Sequence, residues 1–313
     1  MKQIIMRHQR CLVGLLLVAG MPGLSTRAAE PSFSAASTLA STNSVVVPFE
    51  IRRGHIMVPA RVSGSATLSL LLDTGYSMTM LDSDHTAAFS LRRVGRITIV
   101  GIAGEEPANV FEGPSFDFSG ATWKPRRVAS FPADRETRSR RRDGILGSGF
   151  FKRFVVEIDS QRKTLTLHEP DTYQYSGSGE IIPLTFRSST PIVEASIRLP
   201  NRSTVKAQFE IDTGCDGCLC VGRPFLAANQ LLPTNSLSHG ERFGVGGGTR
   251  TQSGRLLQLQ LGQLTIDRPP ADFFLEGSPV DDPLAGHIGL ELLRDFKVVF
   301  DYTRRRMILE PTQ

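Results

Sequence analysis

The chain has 313 residues, of which 40% are hydrophobic and 21% are charged, and its formal net charge is +5. This length and apolar content allow one large hydrophobic core or two modest ones. Residues 1–29 hold four basic residues and no acidic one, so the remainder of the chain carries only +1. The basic run from Arg135 to Arg142 contains Glu136, is flanked by Asp134 and Asp143, and has no aromatic residues that could stack on bases, so nucleic-acid binding is not expected.

Residues 1–29 have the layout of a cleavable export signal. Basic residues precede an apolar stretch from Cys11 to about Met21, and small residues follow. This stretch is short for a membrane span, so we expect export to the periplasm or secretion. The alternative is an uncleaved N-terminal anchor, which would be the chain's only contact with a membrane. Residues 30–44 are rich in Ser, Thr and Ala, which predicts a disordered tether.

The rest of the chain is a repeat of one pattern. Five segments recur in the same order, and their pairs are VVPFEIRR with IIPLTFRS, LLLDTG with FEIDTG, SGATWKPRRVASF with LGQLTIDRPPADF, DGILGSGFFKRFVVEID with AGHIGLELLRDFKVVFD, and RKTLTLHEP with RRMILEP. Two copies of one domain are the simplest explanation. We expect an N-terminal lobe at residues 45–170, a connector at 171–179 and a C-terminal lobe at 180–313.

Both copies are predicted to be β-structure. HIMVPARVSG and ATLSLLLD alternate and then become wholly apolar, as strands that enter a core do, and PIVEASIRLP and STVKAQFEID repeat this pattern. Only GSGFFKRF and GLELLRDF have apolar residues at helical spacing. The predicted fold is therefore all-β, with two pseudo-symmetric barrel-like lobes that carry one short helix each.

Each copy places Asp-Thr-Gly directly after an apolar strand, at residues 73–75 and 212–214. We expect Gly75 and Gly214 to permit a sharp loop that other residues resist. If the two lobes bring Asp73 and Asp212 together, the two carboxyls cannot both ionise cheaply and share one proton. An ionised partner can deprotonate a water while a protonated partner polarises a carbonyl, which is amide hydrolysis without a metal or cofactor.

A glycine-rich hairpin follows the Asp-Thr-Gly loop in each copy. The segment 97–110 has Gly101, Ile102 and Gly104 near its tip, and the segment 243–254 has Gly246 and Gly247 at the equivalent place. Such hairpins can close over an extended peptide and hydrogen-bond its backbone. A flexible loop without a ligand is the alternative.

These motifs resemble the retropepsin-like aspartic peptidases, over about residues 45–313. The resemblance implies that Asp73 and Asp212 are catalytic and that Thr74 and Thr213 hold the two loops together. It also implies that Ile145-Leu146-Gly147 passes behind the first loop. The implied protein is a single-chain, pepsin-like arrangement that cleaves a protein or peptide substrate, as a monomer or with lobes paired between two chains. A non-catalytic peptide-binding protein on the same fold is the alternative.

The residues after the two Asp-Thr-Gly triplets depart from the family pattern. Tyr76 and Cys215 stand where a small residue is usual, and Ser77 and Asp216 follow them. We expect these four residues to line the substrate cleft. His287 replaces an aliphatic residue in the segment that corresponds to 145–147, and we interpret it as a hydrogen-bonded structural residue.

Three cysteines cluster in the sequence GCDGCLC. Once Cys11 leaves with the signal, the remaining count is odd, which argues against a disulfide framework. The six histidines show no metal-binding spacing, so no metal site is predicted. Buried thiols beside a tight loop are expected, and a bridge between Cys215 and Cys218 remains open.

Overall fold

The computed structural model describes residues 43–101, 103–131, 142–231, 238–276 and 284–312, together with the backbone of residues 11–13. The predicted signal segment and the tether therefore lie almost wholly outside the described residues. Strand β1 is Cys11–Val13. The first repeat contains β2 Ser44–Pro48, β3 Glu50–Arg52, β4 His55–Val62, β5 Thr67–Leu72, β6 Met80–Asp82, α1 Ser83–Ala88, β7 Arg93–Gly101, β8 Gly104–Glu112, β9 Phe116–Phe118, β10 Ala121–Trp123, β11 Arg127–Phe131, β12 Gly144–Leu146, α2 Ser148–Arg153, β13 Val155–Asp159 and β14 Thr164–His168.

The second repeat begins after residues 171–179, which hold no strand or helix. It contains β15 Glu180–Pro183, β16 Thr185–Arg187, β17 Thr190–Arg198, β18 Thr204–Asp212, β19 Leu219–Val221, α3 Arg223–Asn229, β20 Ser238–Gly244, β21 Gly247–Arg255, β22 Gln258–Leu261, β23 Leu264–Asp267, β24 Pro270–Phe274, β25 Leu284–Gly289, α4 Leu290–Leu293, β26 Phe296–Asp301 and β27 Arg306–Pro311.

The two lobes have the same strand order, which confirms the predicted pseudo-symmetric all-β fold. The first sheet runs β10-β9-β4-β5-β12-β6-β11-β8-β7, and β3 pairs with β4. The second sheet runs β23-β22-β17-β18-β25-β19-β24-β21-β20, with β16 on β17 and β1 beside β20. Every strand of the first sheet has its counterpart at the same place in the second.

A third sheet joins the two lobes in the order β2-β14-β13-β26-β27-β15. Its two halves come from the two repeats, and they meet at the antiparallel pair of β13 and β26, where Ile158 faces Val298. Parts of both lobes therefore share backbone hydrogen bonds. This sheet forms a common platform that fixes one lobe against the other.

Within the described residues each lobe has two short helices, whereas the sequence predicted one. The predicted helices are α2 and α4, which follow Gly147 and Gly289. Each of the two missed helices nevertheless has a residue at its N-terminal end that is typical of a helix start. Asp82 caps α1 by accepting a hydrogen bond from the Asp84 amide, 2.8 Å away, and Pro224 stands in the first turn of α3.

Aromatic side chains pack where α2 meets the joining sheet. Phe151, on α2, lies 5.4 Å from the Phe300 ring and 5.5 Å from the Tyr302 ring, measured between centroids. Its neighbour Phe150 is fully buried and contacts Phe118 and the other rings of the first lobe. The hydrophobic core consequently continues from one lobe into the other.

We predict that Phe151→Ala lowers the free energy of unfolding by about 3–5 kcal/mol, because it removes a buried ring that both lobes contact. Chemical denaturation monitored by fluorescence measures this change. Val46→Ala is the control, since the Val46 side chain is largely exposed, and it should cost less than about 0.5 kcal/mol. Equal costs for the two variants would contradict the shared core.

Candidate active site

The two Asp-Thr-Gly loops meet at the boundary between the lobes. Strand β5 leads into Asp73, and β18 ends at Asp212, so the two carboxyls occupy equivalent positions. Asp73 is 1% exposed and Asp212 is fully buried. Behind each loop passes the strand predicted to do so, with Leu146 paired to Leu72 and Gly289 paired to Asp212.

The loops are locked together by their threonines. The Thr74 amide donates to Thr213 Oγ1 over 3.0 Å, and the Thr213 amide donates to Thr74 Oγ1 over 2.9 Å. Each hydroxyl then donates to a carbonyl of the opposite lobe, Thr74 to Ile211 and Thr213 to Leu72, over 2.7 and 3.0 Å. Four buried hydrogen bonds therefore cross between the lobes at the base of the carboxyl pair.

Each carboxylate also accepts a hydrogen bond from its own loop. The Gly75 amide lies 3.0 Å from Asp73 Oδ1, and the Gly214 amide lies 2.9 Å from Asp212 Oδ1. Burial raises the pKa of Asp73 well above its ordinary value of 3.8, and the neighbouring Asp212 carboxyl raises it further. The Arg142 guanidinium and the Gly75 amide act in the opposite direction. The protonation of Asp73 therefore depends on the neighbouring carboxyl of the opposite lobe.

The reason given above for the two loop glycines is wrong. Neither Gly75 nor Gly214 has a positive φ, so the left-handed region is not what they supply. Gly214 is required for space, because a Cβ there would lie 2.1 Å from Asp73 Oδ2. The missing side chain lets the Asp73 carboxyl rest on the backbone of the opposite loop.

Comparisons with known proteins agree with this arrangement. Residues 58–150 match the family model described as aspartyl protease. The aspartic proteinase from Irpex lacteus superposes with a TM-score of 0.58 at 18% identity, covering 86% of this chain and 98% of that one. The chain has the two-lobed fold of the aspartic peptidases. No curated protein sequence matches it.

In this aspartic-peptidase fold the two predicted hairpins are β7–β8, here called the first flap, and β20–β21, the second flap. Their tips touch, because the Ala103 amide donates to the Val245 carbonyl over 3.2 Å. Gly246 has a φ of +86°, and a Cβ on it would lie 2.2 Å from the Gly104 amide nitrogen. Only glycine fits this crossing.

The other predicted flap residues lie at the same contact. A Cβ on Gly101 would collide with Val245, while Gly247 has a φ of +121° and lies next to Ala103. Ile102 lies outside the described residues. The structure therefore brings four of the five predicted flap residues to one place, the contact between the two flap tips.

Tyr76 is buried beneath the first flap. It packs in an apolar cluster with Leu71, Ile99 and Ile145, and Val245 of the second flap packs against the same cluster. Burial raises the pKa of the Tyr76 hydroxyl. Ser77, the next residue, lines a surface cavity together with Trp123 and Lys152, and its carbonyl accepts a hydrogen bond from Ser148 Oγ.

Cys215 points into the second lobe, where it packs with Cys220 and Phe274. Its sulfur lies 3.5 Å from that of Cys220, so Cys220 and not Cys218 is the neighbouring thiol. All three cysteines are free and buried. The Cys215 thiol has a raised pKa, chiefly through its hydrogen bond with Cys220 and through burial.

Asp216 belongs to a polar network that the sequence reasoning missed. Arg242, on the second flap, contacts Asp216 over 3.5 Å and also pairs with Asp272, which accepts a hydrogen bond from Ser253. Burial raises the pKa of Asp216 to about 6, although Arg242 opposes the shift. Arg242 could have been found by comparing the two repeats. Ile99 occupies the equivalent position before the first flap tip, so a charged residue in the second repeat replaces an apolar one in the first.

His287 is fully buried beside the carboxyl pair. Its Nδ1 lies 3.3 Å from Asp212 Oδ2, and its Nε2 lies 3.9 Å from Glu210 Oε2. The sequence analysis singled out His287 but missed Glu210. The two motifs differ at this position, since the first repeat reads LLLDTG and the second reads FEIDTG, with Glu210 in place of Leu71.

Two further features of the described residues bear on ligands and membranes. No three His, Cys, Asp or Glu side chains in the described ranges are grouped so that they could hold a metal ion. Within these same ranges, none of the helices is both long and apolar enough to cross a bilayer.

We predict that Thr74→Val destabilises the fold by about 2–5 kcal/mol, because the Thr213 amide and the Ile211 carbonyl lose their buried partners. Thr74→Ser is the matched control. It keeps the hydroxyl and removes only a methyl group, so it should cost roughly 1 kcal/mol. Denaturant titrations compare the two variants, and similar costs would show that the hydroxyl contributes little.

Proposed function

We propose that this chain is an aspartic endopeptidase that hydrolyses peptide bonds with a water activated by Asp73 and Asp212. The observation that most directly supports this proposal is the buried pair of equivalent carboxyls at the lobe boundary, where the two threonines exchange hydrogen bonds. The fold and the family match at residues 58–150 support a peptidase. Peptide binding alone does not need two carboxyls that share a proton.

The proposed reaction uses one proton on the carboxyl pair. The ionised carboxyl takes a proton from water as the water oxygen attacks the peptide carbonyl carbon, and the protonated carboxyl gives its proton to the carbonyl oxygen. A hydroxyl of the tetrahedral intermediate then gives a proton to the ionised carboxyl. The protonated carboxyl gives its own proton to the amide nitrogen, and the C–N bond breaks. The pair ends with one proton, as it began.

The flaps suggest how a substrate is held. Because the carboxyls are buried and the two flap tips are in contact, we expect the tips to separate when a peptide enters. Among the described residues, the tips share one backbone hydrogen bond, from the Ala103 amide to the Val245 carbonyl, and Val245 packs beside it. An extended peptide would replace that bond with hydrogen bonds to both flaps.

We also propose that the protein works outside the cytoplasm, in the periplasm or after secretion. The basic and apolar pattern of residues 1–29 supports export. Since both carboxyls belong to one chain, a monomer contains the complete site. Its partner is a protein or peptide substrate.

We predict that Asp73→Asn and Asp212→Asn each lower kcat for a denatured protein substrate by at least about 10³-fold, because either change removes the shared proton system. Cleavage is measured by gel and by fluorogenic peptide. Asp117→Asn is the matched control, since Asp117 lies on β9 away from both loops, and it should keep full activity. If a dyad variant stayed active, the mechanism would be wrong. If the unmodified chain bound peptides without cleaving them, the peptide-binding alternative would hold.

We predict a bell-shaped pH dependence of kcat/KM. The alkaline limb reports loss of the shared proton, and the raised pKa of Asp73 moves this limb above 3.8. Arg142 lowers the pKa of Asp73, so Arg142→Gln should move the alkaline limb upward by a few tenths of a pH unit. Arg127→Gln, an exposed change on β11, serves as control. A downward shift in the Arg142 variant would contradict this electrostatic assignment.

A further inference from the structure

The two carboxyls have equivalent backbones but different neighbours. In the second lobe, β18 and β25 pair Glu210 with His287, directly behind Asp212. In the first lobe, β5 and β12 pair Leu71 with Ile145 at the same two positions behind Asp73. One carboxyl therefore has a buried imidazole and a buried carboxyl beside it, while the other has two aliphatic side chains.

The Glu210 and His287 side chains are both excluded from solvent, with exposures of 2% and 0%. An isolated buried charge is costly, so two such groups are stable together when their combined charge is close to zero. Burial raises the pKa of Glu210 to about 8, and among the charges around it His287 opposes this shift most strongly, ahead of Arg187. A single proton carried by either group, on the Glu210 carboxyl or on the His287 ring, gives the same total charge of zero for the pair.

One imidazole nitrogen lies beside Asp212, as an electrostatic contact. His287 Nδ1 is 3.3 Å from Asp212 Oδ2, while Nε2 is turned toward Glu210. A proton on Nδ1 stabilises a negative charge on Asp212, whether the ring is neutral or cationic. Ile145 offers Asp73 no such proton.

We propose that His287, oriented by Glu210, is a positioning residue that holds Asp212 as the ionised member of the carboxyl pair and leaves the shared proton on Asp73. This inference rests on the proposed function for its catalytic meaning. Asp212 then accepts the proton from the attacking water, and Asp73 donates its proton to the peptide carbonyl.

Other titratable and charged groups face the carboxyl pair and its neighbours, and these are Tyr76, Arg142, Arg187, Cys215 and Tyr302. Among them only Arg142 favours a charge on Asp73. Arg142 is partly exposed, so solvent screens it, whereas His287 is fully buried and is screened much less. The contact at Asp212 is therefore expected to prevail.

The test measures where each carboxyl titrates when its partner is removed. Protein with ¹³C-labelled aspartate carboxyls is titrated by NMR in the Asp73→Asn and Asp212→Asn variants, so that a single member of the pair remains in each. We expect Asp212 to titrate at least about one pH unit below Asp73, the effect of one nearby proton donor. Equal titration, or the reverse order, would overturn the proposal.

The residues of the first lobe provide the matched control for Glu210 and His287. The double change Glu210→Leu and His287→Ile copies Leu71 and Ile145, and it avoids leaving Glu210 buried without its partner. In this background the difference between the two titrations should fall below about half a unit. A second background, Glu210→Leu with His287→Asn, restores an N–H donor near the Nδ1 position and should recover at least half of the difference. A difference that survives the first background, or fails to return in the second, overturns the proposal.

Activity provides a separate readout. In the Glu210→Leu and His287→Ile background, kcat should fall and the acidic limb of kcat/KM should move up by about one pH unit, with little change in KM. Thermal unfolding of the same variant checks that it is folded. If the unmodified chain cleaves no peptide, the proposed function fails, but the titration still decides whether His287 makes the two carboxyls unequal.

Discussion

The exchange of hydrogen bonds between Thr74 and Thr213 is the contact on which the rest of the site depends. Each threonine hydrogen-bonds an amide and a carbonyl that belong to the opposite lobe. A buried amide without a partner costs about 1–3 kcal/mol, so the loops are stable only together. Because each aspartate immediately precedes its threonine, the same bonds set the separation of the carboxyls.

Duplication supplies the symmetry, and side-chain divergence removes part of it. The two sheets share one strand order, and the joining sheet places β13 against β26 at the boundary between the repeats. The side chains around the carboxyls nevertheless differ. The first lobe packs Leu71, Tyr76 and Ile145 in an apolar cluster, whereas the second places charged groups such as Glu210 and Arg242 nearby. An environment that is apolar on one side and polar on the other can give two identical functional groups different protonation states.

Much of the fold follows from local sequence. The apolar and alternating segments predicted β4, β5, β17 and β18, and the repeat predicted two equivalent lobes, as the structure shows. The helices α1 and α3 were missed because each buries a single side chain, Thr86 or Leu226, and so lacks the apolar pairs that mark α2 and α4, although Asp82 and Pro224 are terminal signals. The conformational role assigned to Gly214 failed for a different reason. Its constraint comes from the Asp73 carboxyl, which lies 141 residues away along the chain.

By itself, the sequence determined that the chain holds two copies of a β-rich unit, each with an Asp-Thr-Gly loop and a glycine-rich hairpin. Periodicity and repetition are properties of neighbouring residues, so they can be read without coordinates. Only the tertiary structure decided which side chains meet across the boundary between the lobes. The contacts of His287 with Asp212 and Glu210, of Cys215 with Cys220, and of Ala103 with Val245 depend on how strands and lobes pack. Distances between residues that are remote in sequence are set by packing, and local composition does not encode them.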